Sequence, residues 1–210
     1  MMSFRLLSVL LLTLLFAAGA AGDGLTARAP VVSASAYGIA VVVPGQPGAS
    51  AAAASAPGSV ESGVADAFAY PADGSAAGTG ALSSSVSAQS SEPVGGHAVT
   101  DVLFVSLFNG EITADSAAAR AKASAAGADV AGSSVSNLVL LGQPAAAAPN
   151  QRFSLGDWGY AVTLEQATDF TTSAETRDAR ASVTALRVVL TADHGGLPAG
   201  TEILIGHAEA

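Results

Sequence analysis

The sequence predicts an all-β fold, a single antiparallel β-sandwich domain with a small-residue core of Ala, Ser and Gly, and three observations carry that prediction. From Ala117 to Ala125 every odd position is Ala, while the even positions read Ala118, Arg120, Lys122 and Ser124. Propensity alone would read this as a helix, because alanine is the best helix former and Gly127 is the residue type that usually follows a helix end. On a helix, however, Arg120 and Lys122 would stand about 200° apart, whereas on a strand they share one face and leave the other wholly apolar. The period of two therefore decides for a strand. The second observation is the β-branched and aromatic run Val102 to Phe108, read as a buried strand and closed by Asn109-Gly110. That dipeptide accepts positive φ and marks a tight turn, so the run and a long return strand from Ile112 make a hairpin. The third is the number of short apolar runs divided by Gly, Pro and Asn turns, with no helical segment beyond the N-terminus.

Residues 1–20 read as a secretory signal peptide. Arg5 precedes the apolar run Leu6 to Phe16, and Ala18-Gly19-Ala20 supplies the small-x-small pattern of a cleavage site. The apolar run is shorter than the roughly 20 residues a membrane span requires. The chain has no cysteine, which excludes lipoprotein attachment, disulfides, thiol catalysis and Cys-ligated zinc. Removing the leader takes away Arg5 and no acidic residue, leaving 7 basic against 17 acidic side chains, a net charge of −10. Nucleic acid and anionic membrane surfaces both require a basic footprint, so neither is an expected partner, and no membrane span is expected after cleavage. Residues 21–210 are expected to form the one sandwich domain. Alanine accounts for 48 residues. Each alanine buries far less than the large side chains worth about 1.5 to 3 kcal/mol apiece, so a long, thin, flat core is expected.

In chain order, Val31 to Val43 reads as a first strand, and the Pro/Gly/Ala/Ser segment 44–59 as a flexible loop without an apolar face. Val64 to Tyr70 alternates weakly and stops at Pro71. Leu82, Ser84, Val86 and Ala88 share one side of a half-buried strand. Gly132 to Leu141 reads as one strand. Phe153 to Leu155 and Tyr160 to Leu164 flank a turn at Gly156-Asp157. Glu165 to Arg180, the most polar run, reads as solvated loop plus the start of a strand. Ala181 to Leu190 and Glu202 to Ala208 close the chain, and a slip in apolar phase between Ala185 and Leu186 predicts a β-bulge. Val99 to Val102, Val135 to Leu138 and Val183 to Leu186 share one four-residue pattern at unequal offsets, which fits similar strands of a sandwich better than a solenoid.

The order of several short motifs resembles the choice-of-anchor P family of secreted bacterial surface proteins. They are Ala36-Tyr37-Gly38, Gly110 to Asp115, Asn137-Leu138 with Gly142-Gln143-Pro144, Pro149-Asn150, Val183 to Val188 and Ile203 to Ala208. The resemblance covers most of the chain after the leader. It implies an extracellular or cell-envelope protein in which a shared domain is joined to varied anchors, and it implies no known catalytic residues. The chain departs from that pattern by ending at Ala210 without an apolar tail, and Leu197 to Thr201 is not a proper sortase signal. Free secretion or non-covalent retention is therefore the expectation.

Chemistry is sparse. The three histidines, His97, His194 and His207, fall in no metal-ligand spacing, and the aspartates are too scattered for a calcium loop, so neither a metal nor a cofactor is expected. Asp193-His194 could serve as acid and base of a hydrolase, but no nucleophile elbow accompanies them. Trp158 and Tyr160 would share a face on a strand. Exposed, the two rings could stack on a glycan; buried, Trp158 plugs the sheet end of a core short of large side chains, which is the favoured reading. Together these observations predict a non-enzymatic structural or adhesive protein, with a component of the cell envelope or extracellular matrix as partner and a glycan as the alternative ligand.

Overall fold

The computed structural model describes residues 31–58, 61–173 and 177–210; the leader predicted at 1–20 lies outside the described residues. The chain is all-β, with two antiparallel sheets facing each other. Seven long strands carry it: β1 Ala34–Val42, β2 Leu82–Gln89, β3 Gly95–Leu107, β4 Ile112–Ser124, β5 Gly159–Thr172, β6 Arg177–Leu190 and β7 Glu202–Glu209. The first sheet runs β5, β6, β7, β1, edged by Gln151–Ser154 on β5 and by two short strands on β1. The second is built on β2, β3 and β4 and continued on both edges by short strands.

The hairpin of β3 and β4 forms around a single turn of 3-10 helix, Phe108–Gly110, with Asn109 at φ 52° and Gly110 at φ 91°. In β4, Ala117, Ala119, Ala121 and Ala123 are buried, while Arg120 is half-buried and Lys122 exposed. Period-two patterning thus overrides helix propensity, because burying the alanine row requires the strand.

Four local expectations are corrected. Within the segment expected to be a flexible loop, Ala49–Ala51 and Ala54–Ala56 pair with β1, and Ala52, Ala54 and Ala56 are buried. Methyl groups that small leave no visible apolar face in the sequence, yet they suffice to cover an edge. The polar run from Glu165 is mostly strand: Asp169 pairs with Arg180 and Thr171 with Asp178 along the outer arms of β5 and β6. Both faces of those arms are exposed, so they carry the composition of a loop. Gly132 to Leu141 divides into Ser134–Ser136 and Val139–Leu140 around Asn137, whose φ is 50°. The run Val102 to Phe108 is not buried throughout, since Leu103 and Phe104 face solvent.

The slip at Ala185 is real, but it is not a bulge. Thr163 faces Leu186 and Glu165 faces Thr184, so the register passes through Leu164 and Ala185 with no inserted residue. Leu164, Ala185, Gly206 and Gly38 line up across four strands and all point inward, next to the inward row Thr163, Leu186, Ile205 and Ile39. Left-handed backbone at Leu164 (φ 45°) and Gly206 (φ 62°) breaks the alternation there. This row divides the core. On one side lie Ile39, Val41, Phe108, Leu186, Ile203 and Ile205; on the other lie Ala34, Ala36, Ala98, Ala119, Ala121, Ala208 and their neighbours.

Candidate functional site

Chemistry-bearing side chains gather in three places. The first is a clasp at the large-residue end. Trp158 sits in the turn before β5, where Leu155 N–H bonds the Gly159 carbonyl, and it is only 9% exposed. Its indole stacks on the His194 imidazole, with 3.9 Å between centroids and 1° between planes. Phe108 meets both rings edge-on, at 5.2 and 5.0 Å. His194 Nε2 lies 3.1 Å from Glu111 Oε2, which ties the loop after β6 to the hairpin of the other sheet. His194 and Leu197 bond each other's backbones around Gly195-Gly196. A Cβ on Gly195 would fall 2.5 Å from Phe108 Cδ1, so only glycine lets the turn close over that ring.

Two predicted pairings are absent from this geometry. Trp158 and Tyr160 do not share a strand face: Trp158 precedes the strand and points into the core, while Tyr160 lies on the outer face with the Arg152 guanidinium 3.5 Å over its ring. Asp193 and His194 do not form an acid–base couple either. Asp193 Oδ1 accepts the Ala199 N–H at 2.9 Å, and His194 turns to Glu111 instead. Among the described residues no hydroxyl bonds His194, and no cluster of three or more His, Asp or Glu forms a ligand set.

The second place is the outer face of the first sheet. Arg187 on β6 reaches Glu165 on β5 with Nη1 (2.9 and 3.2 Å) and Glu202 on β7 with Nε and Nη2 (3.1 and 2.9 Å). One row further, Tyr37 stacks on His207 at 4.7 Å, and Thr184 Oγ1 meets His207 Nδ1 at 2.9 Å. Burial holds the His207 pKa below its ordinary value, against the opposing pull of the Glu209 and Glu165 carboxylates. Burial also raises the Tyr37 phenol, while the Arg187 charge counteracts it. The Arg187 guanidinium is raised chiefly by its bond to Glu202. These groups satisfy one another across four strands, as a brace does.

The third place is the outer face of the second sheet. Leu103 faces Ser116 and Val105 faces Ala114, so Phe104 lies opposite Asp115; by the same count Asn137 lies on the far side of Asp115. Here the phase slip runs outward. The row Phe104, Asp115, Asn137 and the row Leu103, Ser116, Ser136 both leave the core, and five of these six side chains are exposed, Ser116 being intermediate. Asn137 Nδ2 donates to Asp115 Oδ2 at 2.6 Å. Phe104 is 69% exposed at φ 54°. Bulky side chains avoid that region, so this is a backbone outlier held by its surroundings.

No known protein family, curated protein or solved structure matches the chain. Function therefore has to be argued from these three places. The clasp and the brace join strands and spend their polar groups on each other. The outward row alone presents an aromatic ring and unspent polar atoms to solvent. Sequence reasoning missed it because Phe104 stands inside an unbroken apolar run, where alternation is invisible; the nearest signal was Asn137, a residue type that tolerates left-handed backbone.

Among the described residues no helix is long and apolar enough to cross a membrane. A cleft of about 680 Å³ opens at the alanine end, walled by Val32, Ala56, Gly96, Ala123, Arg180 and Ala210.

Proposed function

We propose that the chain is a secreted, non-catalytic protein with a structural or adhesive role at the cell surface or in the extracellular matrix. The observation that carries this reading is the leader: a basic residue, an apolar run of eleven residues from Leu6 to Phe16 and a small-residue cleavage pattern stand ahead of the sandwich. The acidic, cysteine-free composition and the resemblance to the choice-of-anchor P family support it. So does the use of charged side chains as braces between strands. A C-terminally tagged full chain should appear in the medium or on the cell surface with Ala21 as its new N-terminus. Recovery of the protein in the cytosol with Met1 retained would overturn the reading.

The second reading, glycan binding, does not keep Trp158, which is buried with His194 stacked on its ring and Phe108 against it edge-on, or Tyr160, whose ring lies under Arg152. The exposed ring of Phe104 favours it instead.

A further inference from the structure

We infer that the doubled outward row of the second sheet is a binding site for a neutral glycan, with Phe104 as the ring on which a pyranose stacks and Asp115 and Asn137 as its hydrogen-bonding rim. The inference deepens the adhesive reading by naming the ligand class and the place.

Phe104 is the first support. Glycine would occupy φ 54° without strain, and a ring left 69% exposed recovers little from burial, so nothing in the fold itself rewards phenylalanine there. The neighbourhood nonetheless makes room for it. A Cβ on Gly80 would stand 2.9 Å from Phe104 Cδ2, so the glycine gives the ring its seat. Gly80 N–H bonds the Leu103 carbonyl at 2.8 Å and Leu103 N–H bonds the Ala81 carbonyl at 2.9 Å, fixing the backbone just before Phe104, and Val105 just after it pairs with Ala114. A strained, exposed aromatic on a fixed backbone is a preorganised contact.

The rim is the second support. Asp115 stands across the strand from Phe104, within the reach of cross-strand neighbours, and Asn137 stands beyond it. The bond between them uses one oxygen of Asp115 and one N–H of Asn137. The other carboxylate oxygen, the amide oxygen and the second amide N–H belong to exposed side chains and have no protein partner among the described residues. Two acceptors and a donor beside an aromatic face match the two aspects of a pyranose, which offers an apolar C–H face and a rim of hydroxyls that both donate and accept. Leu103 widens the apolar floor, and the Ser116 and Ser136 hydroxyls border it.

Charge selects the class. Asp115 lies in the site, Asp101 lies nearby on the same strand as Phe104 and is paired to Arg120 at 2.7 Å, and the whole chain carries a formal charge of −9. Uronic, sialic and sulfated sugars would meet the Asp115 charge while Arg120 is already committed to Asp101 and to the Thr100 and Ala119 carbonyls, so the ligand is uncharged.

The test uses the purified protein against cellulose, chitin, mannan and galactan, with polygalacturonate as the anionic control, followed by calorimetry on hexasaccharides of whichever polymer retains it. At least one neutral polymer should retain the protein and polygalacturonate should not. Phe104→Gly should weaken binding at least tenfold while its thermal midpoint stays level or rises; Phe104→Trp should keep most of the affinity; Asp115→Ala should weaken binding several-fold. The midpoint measurement separates a lost platform from a lost fold. Retention by none of the neutral polymers, or undiminished binding by Phe104→Gly, overturns the proposal. So does sedimentation showing a dimer that Phe104→Gly dissolves, which would assign the row to a second copy of the chain. Failure of export would leave this result standing, because binding is measured on purified protein.

Discussion

On one side of the row formed by Leu164, Ala185, Gly206 and Gly38 the sheets are held apart by Phe108, Trp158, Leu186, Leu190, Ile203 and Ile205; on the other nothing larger than Val86 and Val183 lies between them. At the border the sheets approach closely. A Cβ on Gly206 would lie 3.6 Å from Thr100 Cγ2 and 3.7 Å from the Ala117 carbonyl of the opposite sheet. The large-residue end gains its stability side chain by side chain, each burial worth about 1.5 to 3 kcal/mol. The alanine end gains less per residue and depends on close fit, because dispersion falls away over a fraction of an ångström. The border itself carries a buried hydroxyl pair, Ser84 Oγ to Thr100 Oγ1 at 2.8 Å, with Thr100 Oγ1 donating onward to the Ser83 carbonyl at 3.0 Å.

The largest test of this contrast is Phe108→Ala. It removes the ring on which Trp158, His194 and the Gly195 turn converge, and a loss of about 3 to 5 kcal/mol is expected by chemical denaturation. Ala119→Leu probes the other end with the opposite change in volume. If the alanine layer is close-packed, the added methyl groups cost about 1 to 3 kcal/mol; a stabilised variant would mean a loosely filled end and would break the comparison. At the border, Thr100→Val keeps the shape but strands the Ser84 hydroxyl, which is 3% exposed, and a loss of about 1 to 2 kcal/mol is expected by the same measurement.

The smallest effect concerns His207, one row from the border on the outer face. Burial holds its folded pKa below the ordinary 6.5, so within that window the unfolded chain binds more protons than the folded one. Stability should therefore fall as pH drops below about 6.5 and level off once pH passes the lower folded value. Tyr37, Thr184, Glu165 and Glu209 are the titratable and polar groups around the ring. Thermal midpoints followed from about pH 8 to pH 5 should show a steeper decline in the native protein than in His207→Gln. Equal slopes would remove His207 from the account.

Legibility followed the locality of each signal. The alternation from Ala117 to Ala123, the turn at Asn109-Gly110 and the inward set Leu82, Ser84 and Val86 could be read directly, because side-chain phase along a strand is a property of adjacent residues. The edge strands at 49–51 and 54–56 could not. Three-residue strands of Ala and Ser exist only because β1 offers them an unpaired edge. The candidate site was hidden for a related reason: in Val102 to Phe108 every residue but Ser106 is apolar, so the run cannot reveal that Leu103 and Phe104 turn outward together.

What the sequence by itself determined is the class of structure. A period of two, repeated between Gly, Pro and Asn turns, admits antiparallel strands and little else, and the alanine content set the character of half the core. Only the tertiary structure decided which large side chains became core and which became surface. Trp158 is inside because His194 and Phe108 come to it from distant parts of the chain, and His194 finds Glu111 across 83 residues of sequence. Phe104 is outside because left-handed backbone there, at a position facing Asp115, reverses the strand's phase. A single left-handed residue exchanges the two faces of everything beyond it, and whether a chain accepts one is decided by the partners on either side.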